Sequence, residues 1–265
     1  MSSTTENPGE SADPRPELRV TEDGSHTLYS HRFEQHYHNP NGAVAESRHN
    51  FFIKNGLLNH LPGADHLTIL EVGFGTGLNF LLLMDEYLET GSSTTIDYFT
   101  VEAYPVDART ARTFNYGEYL AHPDLTLQIS QIFKHLKPGL NRFEPAAGIT
   151  LQLYHGPFSD FSPQNLDADY IFHDPFSPQV NPELWTGEVF RKLAAWSSPP
   201  VILSTYSAAS KARGAMAWAG WHVAREEGAL GKREMTIAAL DPEKLAHLER
   251  VNEQRLARRY EQQDF

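Results

Sequence analysis

The sequence predicts an α/β protein with a mostly parallel, seven-stranded sheet that carries helices on both faces. Two observations predict this class. An apolar run at residues 69–72 stops at three alternating glycines and resumes with helical periodicity, which is typical of a strand, a tight turn and a helix. Strand-like and helix-like segments then alternate along the chain, and this order indicates parallel strands joined by crossover helices.

The remaining elements are predicted in chain order. Helices are expected at residues 78–88, 107–119, 183–196 and 208–219, and strands at residues 96–101, 149–154, 169–174 and 200–206. Residues 221–225 and 233–240 should pair as closing antiparallel strands. Residues 124–148 fit either a helix or irregular structure, because Pro138 and Pro145 interrupt the pattern.

Three segments are predicted from these patterns. Residues 1–24 are rich in Ser, Thr, Glu and Pro and are expected to form a disordered or loosely attached tail. Residues 25–240 should form one domain, whose aromatic-rich start, residues 28–58, packs on its body. Residues 241–265 place apolar side chains on one side among many charges, which indicates an amphipathic helix docked on the body or on a partner.

Composition limits the possible functions. The 265 residues carry a formal charge of −12, which argues against extensive wrapping by nucleic acid, although local basic patches remain possible. No long apolar run or signal-peptide pattern is present, so we expect no membrane span and a cytoplasmic protein. The absence of cysteine excludes thiolate chemistry. His31, His36, His38 and His49 lack metal-site spacing, so we predict no metal.

The glycine loop is the first candidate binding site. Glycines allow positive φ angles and close approach of a ligand, and the helix that follows directs free N–H groups at it. The spacing fits the dinucleotide motif poorly, whereas E-x-G-x-G-x-G is the form expected of S-adenosylmethionine enzymes. The alternative is a Gly-rich turn in an ordinary α/β protein. The predicted cofactor-binding residues here are Glu71, Gly73, Phe74, Gly75, Thr76, Gly77 and Asn79.

Further candidates follow other predicted strands. Glu102 ends the second strand, where an acid can accept both ribose hydroxyls of a nucleoside; a simple strand-end carboxylate is the alternative. Gly156 ends the third strand and is also assigned to cofactor binding. Because the carboxyl ends of parallel strands share one edge, we expect Gly73, Glu102, Gly156, Asp174 and Tyr206 to converge there.

Asp174 and Phe176 form the predicted catalytic motif, within Asp174-Pro-Phe-Ser-Pro at the end of the fourth strand. The two prolines should stiffen this loop. If the reaction is methyl transfer to an amine, Asp174 can accept a hydrogen bond from the N–H of that amine, orient the lone pair of the nitrogen and take up a proton. Phe176 can exclude water from the site. Asp174 is also assigned to cofactor binding. The alternative is a solvent-facing Asp-Pro turn.

Several stretches resemble the methyltransferase domain of the bifunctional enzymes that form 5-methylaminomethyl-2-thiouridine in tRNA, over about residues 28–240. The matching stretches are Tyr29-Ser30 with Phe33 and Tyr37, Glu46-Ser-Arg-His-Asn-Phe51, Gly73-Phe-Gly-Thr-Gly-Leu-Asn-Phe80, Asp174-Pro-Phe-Ser-Pro with Asn181-Pro-Glu-Leu-Trp185, Thr205-Tyr-Ser207 and Gly231-Lys-Arg-Glu-Met235. The resemblance implies a Rossmann-like class I fold and S-adenosylmethionine-dependent methylation of the aminomethyl nitrogen of a wobble uridine.

The sequence also departs from the family pattern. The FAD-dependent oxidase half is absent, which implies a stand-alone methyltransferase. Pro157 replaces the usual Asp after Gly156, and Pro rather than Gly follows Asp174. The alternatives are a methyltransferase for another amine, either a small metabolite or an exocyclic base amine, and a non-catalytic cofactor-binding relative.

The tRNA anticodon arm is the predicted partner, contacted by local cations and aromatic side chains. The substrate-binding candidates are Tyr29, Phe33, Tyr37, Arg48, Tyr206, Lys232 and Arg233. For each cation the alternative is a surface salt bridge of little consequence. The sequence does not indicate an oligomeric state.

Overall fold

The computed structural model describes residues 15–265 and contains two sheets. The strands are β1 Glu17–Val20, β2 His26–Ser30, β3 Gln35–His36, β4 His66–Val72, β5 Thr95–Glu102, β6 Gly139–Ala146, β7 Ile149–His155, β8 Ala168–His173, β9 Ser197–Thr205, β10 His222–Glu227, β11 Glu234–Ala239 and β12 Glu249–Arg250. The α-helices are α1 Ala43–Arg48, α2 Leu57–His60, α3 Leu78–Glu89, α4 Ala108–Ala111, α5 Leu125–His135, α6 Gly187–Ala195, α7 Ser210–Trp218 and α8 Glu253–Glu261.

The main sheet confirms the α/β class. Its strand order is β12-β10-β11-β9-β8-β4-β5-β7-β6. The five central strands, β9-β8-β4-β5-β7, pair in parallel, whereas β6 and the β11-β10-β12 group are antiparallel. The sheet is therefore mixed and has nine strands among the described residues, rather than seven mostly parallel ones.

Both faces of the central strands are buried. Ile69 and Leu70 are adjacent on β4 and fully buried, yet they belong to different core clusters. Ile69 packs with apolar side chains of α3 and α5, and Leu70 packs with those of α6 and α7. A strand covered on both faces reads as a continuous apolar run, which explains why β4 was recognisable in the sequence.

The N-terminal segment forms a small antiparallel sheet. Strand β1 pairs with β2 from Glu17↔Tyr29 to Val20↔His26, and β2 pairs with β3. This strand lies inside the segment assigned to a tail, and residues 1–14 of that segment lie outside the described residues. All four β1 side chains are exposed, so no apolar alternation marked the strand.

Three other segments differ from expectation. The helix predicted at residues 107–119 is wrong for most of its length, because α4 ends at Ala111 and a short 3₁₀ turn occupies Tyr116–Tyr119. Residues 124–148 contain α5 followed by the edge strand β6. Residues 241–265 contain a 3₁₀ turn, the two-residue strand β12 and α8, rather than one helix. None of the described helices has the length and apolar character needed to cross a bilayer.

Candidate active site

The carboxyl ends of the parallel strands meet at one edge of the sheet. Gly73 follows β4, Gly156 follows β7 and Asp174 follows β8. Backbone hydrogen bonds tie these ends together: the N–H of Gly73 donates to the Val101 carbonyl at 3.1 Å, and that of Asp174 donates to the Val72 carbonyl at 3.0 Å. The candidate residues predicted at strand ends are therefore brought together.

Glycine is required in the glycine loop because the φ angles there are positive and because a Cβ would crowd neighbouring residues. Gly73 has φ +94°, and a Cβ there would lie 2.9 Å from the carbonyl oxygen of Asp174 and 3.2 Å from Pro175 Cα. Gly75 has φ +53°, and its Cβ would lie 3.4 Å from the Tyr37 ring. Gly77 has φ +77° and precedes the first residue of α3. The loop thus lies in close contact with Asp174 and Pro175 on one side and with Tyr37 on the other.

Glu102 directs its carboxylate back to the glycine loop. Its Oε2 accepts from the N–H of Gly75 at 2.8 Å, and its Oε1 accepts from the N–H of Tyr104 at 2.8 Å. Burial raises the pKa of Glu102, although these backbone donors favour the charged form. Because a carboxylate has about four acceptor sites, it can still accept a hydrogen bond from a ligand hydroxyl.

Asn79 joins two buried carboxyl groups. Its Nδ2 donates to Glu71 Oε1 at 3.0 Å and to Asp174 Oδ2 at 3.0 Å. Burial raises the pKa of Glu71 to about 8, and burial together with the nearby carboxyls of Glu71 and Glu46 raises the pKa of Asp174 well above its usual range. The Oδ1 of Asn79 is buried and has no hydrogen-bond partner in the structure.

A cavity of about 340 Å³ lies beside the glycine loop. Its walls include Phe33, Tyr37, Gly73, Phe74, Gly75, Asn79, Glu102, Gly156, Asp174 and Phe176. Pro157 also lines the cavity and leads into a short 3₁₀ turn at Phe158–Asp160. A mainly apolar cavity with a few convergent polar groups is the usual form of a small-molecule site.

The acceptor loop, which we define as residues 174–178, is fixed in place by its neighbours. Trp185 Nε1 donates to the Phe176 carbonyl at 2.8 Å, and the Tyr206 hydroxyl donates to the Pro175 carbonyl at 2.8 Å. The Phe176 ring stacks on the Phe33 ring with centroids 4.3 Å apart. The loop therefore forms a rigid wall between the large cavity and the space behind it.

A smaller cavity of about 150 Å³ lies on the other side of this wall. It shares Tyr37, Asp174 and Phe176 with the large cavity, and its own walls include Glu46 and Tyr206. Lys232 also lines it, with its Nζ 2.6 Å from Glu46 Oε1. Asp174 consequently borders both spaces.

The remaining predicted site residues do not line either of the two cavities. Glu71 and Thr76 are buried beneath the loop, where the Thr76 hydroxyl accepts from Tyr116. Among the described residues, neither Tyr29 nor Arg48 lines either cavity. Arg233 is exposed and lines a separate polar hollow with Glu234 and Glu249.

Arg48 forms ion pairs within the protein, as the alternative of a salt bridge for this predicted substrate-binding cation allowed. Its guanidinium lies 3.4 Å from Asp85 Oδ2 and 3.6 Å from Glu86 Oε1, and it donates to the Tyr119 carbonyl at 3.1 Å. These contacts join α1 to α3. These partners lie 37 or more residues away along the chain, so sequence spacing could not reveal them.

Sequence reasoning assigned no role to Glu46, although it is the most buried acid of the small cavity. Glu46 Oε2 accepts from the N–H of Asn39 at 2.8 Å, and its side chain is only 9% exposed. The available signal was its place in a stretch that matched the family. Asn181 likewise lines the large cavity within the N-P-x-x-W stretch.

Comparisons with known proteins agree with this geometry. Residues 123–241 match a family described as S-adenosyl-L-methionine-dependent methyltransferase. The crystal structure of MnmC2 from Aquifex aeolicus is similar, with a TM-score of 0.72 and 25% identity, over 96% of this chain and 77% of that one. The fold, the glycine loop and this family define the chain as an S-adenosylmethionine-dependent methyltransferase.

Two curated relatives narrow the family. Both are named tRNA 5-methylaminomethyl-2-thiouridine biosynthesis bifunctional protein MnmC, from Ralstonia nicotianae and Cupriavidus metallidurans, and both are 34% identical, over 80% and 82% of this chain. The chain belongs to the family of the methyltransferase part of MnmC. It spans about one third of the length of these relatives, since the match covers 33% of each.

The residues present fit S-adenosylmethionine. The unpartnered Oδ1 of Asn79 is an acceptor of the kind that an α-ammonium group requires. The free lone pairs of Glu102 suit ribose hydroxyls, and side-chain atoms at Gly73 or Gly75 would crowd the loop. Phe158 and Pro157 offer apolar surface for a base.

Proposed function

We propose that this chain transfers a methyl group from S-adenosylmethionine to the aminomethyl nitrogen of a wobble uridine in tRNA. The names of the curated relatives, at 34% identity, support this acceptor. Family membership supports the methyl donor. The structural observation that carries the proposal is a pair of adjoining cavities that share Asp174 in their walls.

The large cavity is proposed to hold the cofactor. Asn79 Oδ1 and the loop amides would bind the amino-acid end, and Glu102 would accept from the ribose hydroxyls. When bound, S-adenosylmethionine supplies an electrophilic methyl group on a sulfonium. The rigid acceptor loop would then hold the acceptor opposite that methyl group, because an in-line displacement depends mainly on alignment.

The small cavity is proposed to hold the aminomethyl group. Its aromatic walls, Tyr37, Phe176 and Tyr206, can exclude water, and its carboxyls can accept N–H bonds from an amine. The acceptor nitrogen must lose one proton in becoming a methylated amine. Asp174 is suited to receive that proton, because burial and neighbouring carboxyls raise its pKa well above its usual range.

Asp174→Asn tests this function. The amide keeps the size and one acceptor atom, so Asn79 retains a partner, but the carboxylate that orients the amine and accepts its proton is lost. We expect the single-turnover rate with saturating cofactor and aminomethyl-containing tRNA to fall by a factor on the order of 10²–10⁴. Cofactor affinity measured by calorimetry should change little. A wild-type rate would contradict the role of Asp174.

The same assay distinguishes the acceptor. Wild-type protein should methylate aminomethyl-containing tRNA and should not methylate tRNA that lacks the aminomethyl group. Transfer to a free aminomethyl nucleoside without transfer to tRNA would instead support a small-amine methyltransferase. Cofactor binding without transfer to either acceptor would support a non-catalytic relative.

A further inference from the structure

The Lys232 side chain places a positive charge at a defined position in the wall of the small cavity. Its Nζ lies 2.6 Å from Glu46 Oε1 and 5.0 Å from the centroid of the Tyr206 ring. Its side chain is 39% exposed, whereas the Glu46 side chain is only 9% exposed. The ammonium group is therefore held against a buried carboxylate and an aromatic face, an arrangement that matches the salt bridge weighed as the alternative for this residue.

The turn between β10 and β11 brings Lys232 to this position. Leu230 has φ +50° and Gly231 has φ +80°, so the chain turns back sharply before β11. At Gly228 a Cβ would lie 2.6 Å from the Lys232 carbonyl oxygen, which makes glycine necessary there. The Asn41 side chain donates to the Leu230 carbonyl at 3.1 Å and joins this turn to the segment before α1.

Several other titratable groups face the same cavity. Glu46 comes from α1 and Asp174 from the end of β8, and His36 and His38 come from β3 and the residues after it. Tyr37 and Tyr206 complete this set. Burial lowers the pKa of His38 to about 4, so it is neutral at pH 7. Among the described residues lining this cavity, Lys232 is the only lysine or arginine.

Charged groups around the small cavity have opposing effects on the pKa of an acceptor amine bound there. The carboxylates of Glu46 and Asp174 favour an ammonium, which has no lone pair and cannot accept a methyl group. The Lys232 ammonium has the reverse effect, because it balances the charge of Glu46 and repels a second cation in the same space. Burial and the carboxyls of Glu71 and Glu46 raise the pKa of Asp174, and the Lys232 ammonium opposes this rise.

Resting on the proposed function, we propose that Lys232, held by Glu46 against Tyr206, keeps the acceptor nitrogen unprotonated by like-charge repulsion. Lys232 is thus a positioning residue for charge and is distinct from Asp174, which contacts the acceptor and receives its proton. Only the unprotonated nitrogen can accept the methyl group. The pH–rate profile should therefore have a rising limb whose midpoint reports the pKa of this nitrogen.

Lys232→Met is the decisive variant. Without the ammonium group, we expect the rising limb of the single-turnover pH–rate profile to move to higher pH by about one unit, since a nearby charge shifts a pKa by about that amount. The rate below the limb should fall about tenfold and should recover to the wild-type plateau at high pH. Lys232→Arg keeps the charge and should retain the wild-type limb. Glu46→Gln leaves Lys232 unbalanced and should move the limb to lower pH.

Arg233→Met is the matched control, because Arg233 is the adjacent exposed cation outside this cavity. It should leave the limb in place while weakening tRNA binding in a salt-dependent manner, and all rates are therefore measured with saturating tRNA and cofactor. Calorimetric cofactor affinity near the wild-type value shows that each variant is folded.

Two results would overturn the inference without touching the proposed function. One is a Lys232→Met rate reduced by the same factor at every pH, which indicates a structural role. The other is an unchanged limb with weaker tRNA binding, which indicates a phosphate contact. Absence of transfer to aminomethyl-containing tRNA by the wild-type protein at any pH would overturn both proposals.

Discussion

Gly73→Ala tests whether the glycine loop and the acceptor loop are held in contact. A Cβ at this position would lie 2.9 Å from the Asp174 carbonyl oxygen and 3.2 Å from both the Asp174 carbonyl carbon and Pro175 Cα. Gly220 is a matched control, because its φ of +95° equals the +94° of Gly73 within a degree and its Cβ would meet nothing within 4 Å. The two positions therefore differ in contact and share the backbone strain.

The magnitudes follow from this difference. Left-handed backbone strain should lower the free energy of unfolding by about 1–2 kcal/mol in either variant. Gly73→Ala should lose about 1–3 kcal/mol more, because its colliding atoms are backbone atoms that cannot rotate away. Urea unfolding with equal m-values measures both losses. Only Gly73→Ala should also weaken cofactor binding in calorimetry, since it displaces the glycine loop that lines the proposed cofactor cavity. Equal losses of stability in the two variants would refute this reasoning.

Two further predictions concern buried charge. The folded-state pKa of Glu71, about 8, lies above its unfolded value of about 4.3, so its stabilising contribution is present below about pH 4 and is lost as pH rises through about 8. Glu71→Gln removes this loss, and its free energy of unfolding relative to wild type should therefore rise by a few kcal/mol between about pH 5 and 8; parallel curves in urea unfolding would contradict this. Arg213 is buried and bonds to Glu234 at 2.9 Å, so Arg213→Met should cost about 2–4 kcal/mol, whereas Arg191→Met, at an exposed pair with Glu188, should cost less than about 1 kcal/mol. Similar melting curves for these two variants would show that burial of the Arg213 pair has no effect.

The central part of the fold could be predicted because its physical signals are local. Strand β4 is buried on both faces and is therefore an apolar run, and the glycines that follow have the positive φ angles that such a turn requires. The meeting of strand ends at one edge follows from parallel pairing, so Glu102 and Asp174 could be assigned to one region.

The edge strands could not be predicted, because they carry no such local signal. Strand β6 lies at the sheet edge, contains Pro145 and has no fully buried side chain, so neither its composition nor its periodicity marked it as a strand. Strand β1 is exposed throughout and exists through its pairing with β2. Such strands depend on a partner whose position becomes known only after folding.

Long-range ion pairs were the other feature that the sequence did not predict. Lys232 and Glu46 are separated by 186 residues, yet they form one of the closest ion pairs of the described structure. A lysine beside an arginine in a polar turn is usually solvated, and the Lys232-Arg233 pair suggested phosphate contacts for both. Both residues are exposed, but Lys232 lines the small cavity and pairs with Glu46, whereas Arg233 lies outside that cavity.

The Glu71–Asn79–Asp174 network limits where the proton of the reaction can go. An amide side chain cannot carry a proton between two carboxyls, so Asn79 separates Glu71 from Asp174 even though it bonds to both. In the proposed reaction, a proton received by Asp174 would therefore leave toward one of the two cavities that Asp174 lines rather than into the sheet. Glu71 acts on Asp174 through charge alone: when Glu71 ionises above about pH 8, its carboxylate strengthens the affinity of Asp174 for a proton. The interior carboxyl would thus assist proton uptake at high pH, where the acceptor amine is most fully in its reactive form.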